Sequence, residues 1–291
     1  VFLSCISLSL FIVVIYGFMQ AFLGIGLTSE QIVWTDGAMF PGLKTRVFST
    51  WQNPNLLGGY FDLMLGLMAG MFLLIKHKIV RIVIAVLFCL TAFCLTLTYA
   101  RGACLSIALV IFVYSILYNR KVLLALIGLA VILLLSDATL VDRMTSIFTK
   151  MDTSSEMRLA FWESTIAMIL DHPLLGIGWG SYFMVYPNYD YYMQGNFIKI
   201  VHAHNMYLNF MAEIGLFGFA SYMVCFFGVI YKAFKAQVMK LDILVKAMFL
   251  GIGLGLSALA LNGFTDYVMF NTELSMLVWL FSGIVVSGYK N

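Results

Sequence analysis

Apolar residues run through this chain in blocks too long for the alternation of a half-buried strand. Leu, Ile, Val, Phe and Met fill stretches of fifteen or more positions, broken by short polar connectors. Such runs predict helices that are apolar all round, the pattern of membrane spans. Eight spans are predicted, at about 4–26, 57–75, 80–98, 102–118, 122–136, 206–231, 247–263 and 272–288. The expected fold is all-α and polytopic, with residues 1–291 forming a single membrane domain.

The connectors predict the orientation. Lys76, Lys78, Arg81, Arg120, Lys121, Lys232, Lys235, Lys240, Lys246 and Lys290 fall on one side if the spans alternate. That side holds ten of the seventeen basic residues and only Asp242 of the fourteen acidic ones. An excess of Lys and Arg marks the cytoplasmic face, so residues 27–56 and 137–205 are expected outside. The 137–205 segment is too long for a simple connector. It carries Asp137, Asp142, Arg143, Lys150, Asp152, Glu156, Arg158 and Glu163. Within it, SEMRLAFWESTIAMILDHPLLG predicts a helix opened by a Ser cap and closed before Pro173. Its apolar stripe, Leu159, Trp162, Ile166, Ile169 and Leu170, suits a helix lying on a membrane surface. Aromatic residues crowd SYFMVYPNYDYY at 181–192, as expected at headgroup level.

Composition agrees. The chain is 62% hydrophobic and 11% charged, where a soluble domain carries about 25% charged residues. No basic patch with interleaved aromatics argues for nucleic acid, and no phosphate-cradling GKT/S loop or GxGxxG fingerprint is present. GIGWG at 176–180 reads as a tight turn, and GIGLGLSALALNG at 251–263 as close helix packing through small residues. The five cysteines show no paired metal spacing and read as small packing residues. The chain opens on Val1 inside an apolar run, with no charged segment and cleavage site ahead of it. It reads as a fragment or a chain with its beginning missing rather than as carrying a signal peptide.

A few polar residues stand out against this background. Arg101, between two apolar runs, is either an interfacial loop arginine or an anion ligand, since a guanidinium matches phosphate geometry bidentately. Arg158 alone reads as a solvated helix charge. Arg46 precedes the second span, Asn53 and Asn55 form a turn before it, and Asp62 lies one turn inside, where a carboxylate is costly unless paired or wetted. His202 and His204 sit just before the sixth span, with Asn205 as a helix cap and Tyr207 in the interfacial belt. The spacing i, i+2 is poor for two ligands on one helix face and no third ligand is evident, so no metal is expected. A neutral imidazole can instead serve as a general base. Glu213 is placed to orient a histidine or to pair with an arginine.

TRVFSTWQNPNLLGGY (45–60), ARGACLS (100–106), MRLAFWESTIAMILDHPLLGIGWGSY (157–182) and HAHNMYLNFMAEIGLFG (202–218) together resemble the O-antigen ligase and O-antigen polymerase superfamily of bacterial inner-membrane proteins. The resemblance implies a metal-independent, inverting glycosyltransferase without cofactor. Its donor is a glycan on undecaprenyl pyrophosphate and its acceptor a saccharide such as lipid A-core. It also implies that Arg101 and Arg158 hold the pyrophosphate and that His204 activates the acceptor hydroxyl, with His202 in support. Members have about twelve spans, so early ones are expected to be missing here. Ligase, polymerase and protein O-oligosaccharyltransferase share these motifs. A transporter is the rival from another class, but it would place ionisable residues at mid-membrane in matching halves, whereas here they gather in one loop.

Overall fold

The computed structural model describes residues 2–27, 45–118, 120–136, 138, 141, 142, 145, 153–190 and 199–289. Of the residues expected in the long loop, Asp137, Arg143, Lys150, Asp152, Tyr191 and Tyr192 lie outside these, as does Lys290. The helices, in chain order, are α1 Phe2–Leu23, α2 Pro54–Leu74, α3 Lys78–Leu97, α4 Arg101–Tyr118, α5 Arg120–Ser136, α6 Thr153–Asp171, α7 Tyr182–Val185, α8 Met206–Lys235, α9 Ile243–Asn262 and α10 Thr272–Gly288. The protein is an all-α, multi-pass membrane protein. Among the described residues, six helices are long and apolar enough to cross a bilayer: α1 to α4, α8 with its continuation to Val238, and α9. The other two expected spans, α5 and α10, are helices of 17 residues each. At 1.5 Å per residue they reach about 25 Å, short of a hydrocarbon core of about 30 Å.

α2 and α9 form the centre of the bundle. α2 is buried from Leu56 to Met71, and α9 is buried over most of Ala247–Asn262. Their contact is made by glycine. A β-carbon on Gly66 would overlap the backbone nitrogen of Gly255, and one on Gly70 that of Gly251. Only hydrogen side chains let two backbones approach so closely, which is how small residues pack membrane helices. The same closeness buries Asp62 completely. Its Oδ2 accepts from Asn262 Nδ2 at 3.0 Å, the pairing that a carboxylate at this depth requires.

Five helix termini meet at one end of the bundle, referred to below as the site end: the starts of α2, α4 and α8 and the ends of α3 and α9. Asparagines open two of them. Asn53 Oδ1 accepts from Asn55 N at 2.7 Å, with Pro54 in the first turn of α2. Asn205 Oδ1 accepts from Tyr207 N and Leu208 N, both at 3.0 Å. Each cap satisfies helix amides that would otherwise lack acceptors.

α8 is interrupted. Gly215 has φ 63° and ψ −175°, so Met206 to Ile214 and the membrane-crossing part after it are two helical pieces. The break is filled from the sequence motif just upstream. Ile177 N donates to Ala212 O at 2.8 Å, Gly178 N to Glu213 O at 2.9 Å, and Leu216 N to Pro173 O at 2.9 Å. PLLGIGWG and AEIGLFG are therefore one structural unit, and only glycine tolerates this φ without strain.

α6 sits across the site end. It packs through Phe161, Ser164, Thr165 and Met168, whereas Leu159, Ile166 and Leu170 of the predicted stripe are exposed.

Candidate active site

A cavity of about 300 Å³ opens at the site end, lined among others by Arg46, Asn55, Arg101, Arg158, Trp162 and Asp266. Each arginine arrives on a different element: the strand-like lead into α2, the first turn of α4, and the second turn of α6. Arg46 is anchored at both ends of its guanidinium. Nε donates to Thr98 O at 2.8 Å and Nη2 to Asn55 Oδ1 at 2.7 Å. Arg158 Nη1 donates to Ser154 Oγ at 2.9 Å, one turn back on its own helix. Its Nε, and the indole nitrogen of Trp162 one turn further on, are buried with no hydrogen-bond partner among the described residues. Two buried donors at the wall of a cavity that also holds Arg46 and Arg101 call for an acceptor-rich anion. An unmet buried donor costs about 1–3 kcal/mol, and a phosphate oxygen is a strong acceptor for it.

Asn55 joins this cavity to the histidines. Its Nδ2 donates to Asp266 Oδ2 at 2.6 Å, and Asp266 Oδ1 lies 3.1 Å from His204 Nδ1. The result is a relay, Arg46–Asn55–Asp266–His204, across four separate segments. Tyr267 N also donates to Asp266 Oδ1, at 2.8 Å. A carboxylate accepts, so Nδ1 of His204 carries the hydrogen of this bond, and in a neutral imidazole that leaves the lone pair on Nε2. Burial alone would raise the Asp266 carboxyl. The charge and hydrogen bond of the adjoining His204, together with Arg158 and His202, outweigh it and hold the group below the usual carboxylate range. Asp266 is thus the anion of the pair.

His204 is set in place by several constraints. It adopts φ 50°, a left-handed conformation that is costly for a residue with a β-carbon. Its amide donates to His202 Nδ1 at 3.2 Å, and Phe161 of α6 stacks on its ring at 5.8 Å between centroids. The His204 side chain is 32% exposed, against 7% for Asp266, so it is the accessible member of the dyad. His202, by contrast, is withdrawn from the surface. It is buried beside Tyr267 and Phe270. Burial, and then the neighbouring His204, push its imidazole down to about 3, so it is neutral.

The remaining expected residues make local contacts at this end. Asn53 and Asn205 are the helix caps already described, and Asn205 Nδ2 also holds Phe264 O at 3.1 Å. The Tyr207 hydroxyl donates to Ala260 O at 2.7 Å, tying α8 to α9. Among the described residues, Glu213 neither orients a histidine nor pairs with an arginine. Its Oε1 accepts from Tyr182 N at 3.3 Å, so it organises the GIGWG turn and the start of α7. Tyr182 in turn reaches Thr165 of α6 at 2.7 Å, and Glu213 supports Arg158 only through this scaffold.

The absence of a metal expected from the sequence is corrected by the structure. His202, His204 and Asp266 each offer one ligand atom, and these atoms lie within 4.8 Å of one another. The chain therefore contains a group able to hold a metal ion, and strict metal independence does not stand. The i, i+2 spacing was judged on a helix face, but both histidines precede α8, with rings 4.2 Å apart. The third ligand comes from the connector after α9. Two neutral-capable imidazoles and a carboxylate match the donors that zinc prefers. Zn²⁺ is expected to bind chelator-treated protein in equilibrium dialysis. Asp266→Asn should weaken that binding by more than the roughly 10- to 100-fold that losing an outer partner costs.

With this geometry in place, the chain can be compared with known proteins. Residues 84–223 match the O-antigen ligase family model, Wzy_C. No curated protein matches the chain. The O-antigen ligase match runs from within α3 to within α8 and includes Arg101, Arg158, His202 and His204. The match covers just under half of the chain. Arg46, Asn55 and Asp266 lie outside the matched stretch and are joined to it by the hydrogen bonds above.

Proposed function

We propose that this protein moves a glycan from undecaprenyl pyrophosphate onto a saccharide hydroxyl in cell-surface polysaccharide synthesis, with residues 1–291 acting as one domain. The observation that carries this reading is an arginine-lined cavity walled by the same Asp266 that holds His204. Arg101, Arg158 and Arg46 would take the donor pyrophosphate, with the unpaired Arg158 and Trp162 donors completing its hydrogen bonds. His204 Nε2 would accept the acceptor's hydroxyl proton. The hydroxyl oxygen then bonds to the anomeric carbon as the bond from that carbon to the pyrophosphate oxygen breaks. The leaving undecaprenyl pyrophosphate gains negative charge, which fixed guanidinium groups stabilise more in the transition state than in the ground state. Asp266 keeps the imidazole in the required tautomer and stabilises its protonated form.

An acceptor of lipid A-core type makes this a ligase, and a second repeat unit makes it a polymerase. The site chemistry serves both. We place the site end outside the bacterial inner membrane, because the Lys and Arg connectors gather at the opposite ends of α2, α4, α8 and α9. The test uses purified protein in nanodiscs with undecaprenyl pyrophosphate-linked glycan and a core saccharide, with and without added Zn²⁺. A glycosylated acceptor, formed at a rate that inorganic pyrophosphate suppresses, is the expected product. The reading is wrong if no glycan moves under either condition, or if pyrophosphate does not compete.

A further inference from the structure

A second polar cavity, of about 220 Å³, lies on the other side of the α2 N-terminus. Its walls include Thr50, Trp51, Gln52, Tyr60, Asn271 and Glu273. We propose that it is a saccharide-binding subsite that holds one uncharged sugar ring of the glycan being joined. This rests on the glycan-transfer reading above.

The chemistry of the two cavities is complementary. The first is lined by three arginines and suits a pyrophosphate. The second has one charged group among its described lining residues, the Glu273 carboxylate. Such a lining repels phosphate and favours a ligand that donates hydrogen bonds, as sugar hydroxyls do. Trp51 supplies a broad apolar face for the C–H side of a ring, and Tyr60 backs it at 4.9 Å between centroids. Asn271 Oδ1 is engaged by Leu274 N at 2.9 Å as the cap of α10, so its amide N–H groups are the part it offers a ligand. Gln52 and Glu273 are exposed, and both line the cavity. Glu273 also favours the N-terminus of α10, but that local role explains neither the aromatic wall nor the cavity itself.

Backbone conformation points the same way. Three non-glycine residues among those described have positive φ: Ser49, Tyr99 and His204. Tyr99 lines the arginine cavity and His204 is half of the dyad. Ser49, at φ 52°, immediately precedes Thr50, Trp51 and Gln52. It is held there by buried Gln20, whose Oε1 accepts from Ser49 N at 2.7 Å, and by its own Oγ bond to Val13 O at 2.6 Å. Strain maintained by buried partners is typical of binding turns. The two cavities also share partitions. α2 gives Asn55 to one and Tyr60 to the other, and the connector after α9 gives Asp266 to one and Asn271 to the other.

Saturation-transfer NMR on nanodisc-held protein tests this, with methyl glycosides of glucose, galactose, mannose and N-acetylglucosamine as probes. At least one should receive saturation from the wild type. Binding should weaken about tenfold in Trp51→Ala and in Glu273→Gln, and stay unchanged in Arg158→Ala. Gln52→Ala, a change at an exposed side chain, guards against a misfolded Trp51 variant and should also weaken binding. Absence of transfer to every probe, transfer that survives Trp51→Ala and Glu273→Gln, or loss in Arg158→Ala would each overturn the assignment. Inorganic pyrophosphate binding, read on the same samples by calorimetry, reports on the arginine cavity separately. It should fall in Arg158→Ala and persist in Glu273→Gln. If pyrophosphate fails to bind while a sugar does, the transfer reading falls and the sugar cavity stands.

Discussion

Replacing His204 with alanine is expected to slow glycan transfer by about 10²- to 10⁴-fold while leaving donor binding intact. On the proposed mechanism the imidazole acts on the acceptor hydroxyl, and the donor pyrophosphate is held by other residues. Asp266→Asn should approach the same loss by another route. An asparagine side chain can donate to Nδ1 and so stabilise the opposite tautomer, placing the hydrogen on Nε2 and removing the lone pair that takes the proton. It would also take away the anion that offsets a protonated imidazole, while its amide oxygen could still accept from Asn55 Nδ2. His202→Ala should cost less, because His202 is buried and contributes through the His204 amide. Transfer rates and donor Kd for the three variants in one nanodisc preparation decide the matter. Wild-type rates in both His204→Ala and Asp266→Asn would leave the dyad without a catalytic role.

Arg158→Ala is expected to lower transfer by about 30- to 1000-fold, the equivalent of roughly 2–4 kcal/mol of transition-state stabilisation. Arg158→Lys should recover only part of it. A lysine keeps the charge, but it has no counterpart to the buried Nε donor and cannot bond Ser154 and a phosphate in one plane. Arg101→Ala should behave similarly, because it enters the cavity from α4 rather than α6. The control is a thermal melt of each variant. Unchanged turnover in a folded Arg158→Ala protein would mean that the phosphate is held elsewhere.

The long apolar blocks made the helices legible, because period and length alone distinguish a span from a strand. The two helices that fall short, α5 and α10, were harder to place, since an apolar run does not reveal how much of it faces lipid. Arg101, Arg158 and His204 stood out as polar residues beside apolar runs, where their cost demands a reason. Asp266 did not. It sits in NGFTDYVMF, a connector with nothing to mark one aspartate, and its partners His204 and Asn55 are 62 and 211 residues away. Contacts of that separation leave no periodic trace. The metal-capable cluster was missed for the same reason, because its third ligand is that aspartate. Glu213 was misjudged because a carboxylate near arginines and histidines suggests charge pairing, whereas the break at Gly215 turned it toward backbone amides instead.

The four-residue relay has a consequence for how the protein is made. Arg46, Asn55 and His204 are all synthesised before Asp266, which follows α9 directly. A nascent chain with α1 to α8 already in the bilayer would hold every arginine of the cavity and the base itself. Its imidazole would still have no carboxylate, and Asn55 no acceptor for its amide. Insertion of α9 beside α2, through the glycine contact, delivers Asp266 to both at once. On the proposed mechanism, assembly of the membrane bundle would be the step that completes the dyad, and a chain stalled before its last two helices would lack the carboxylate partner of His204.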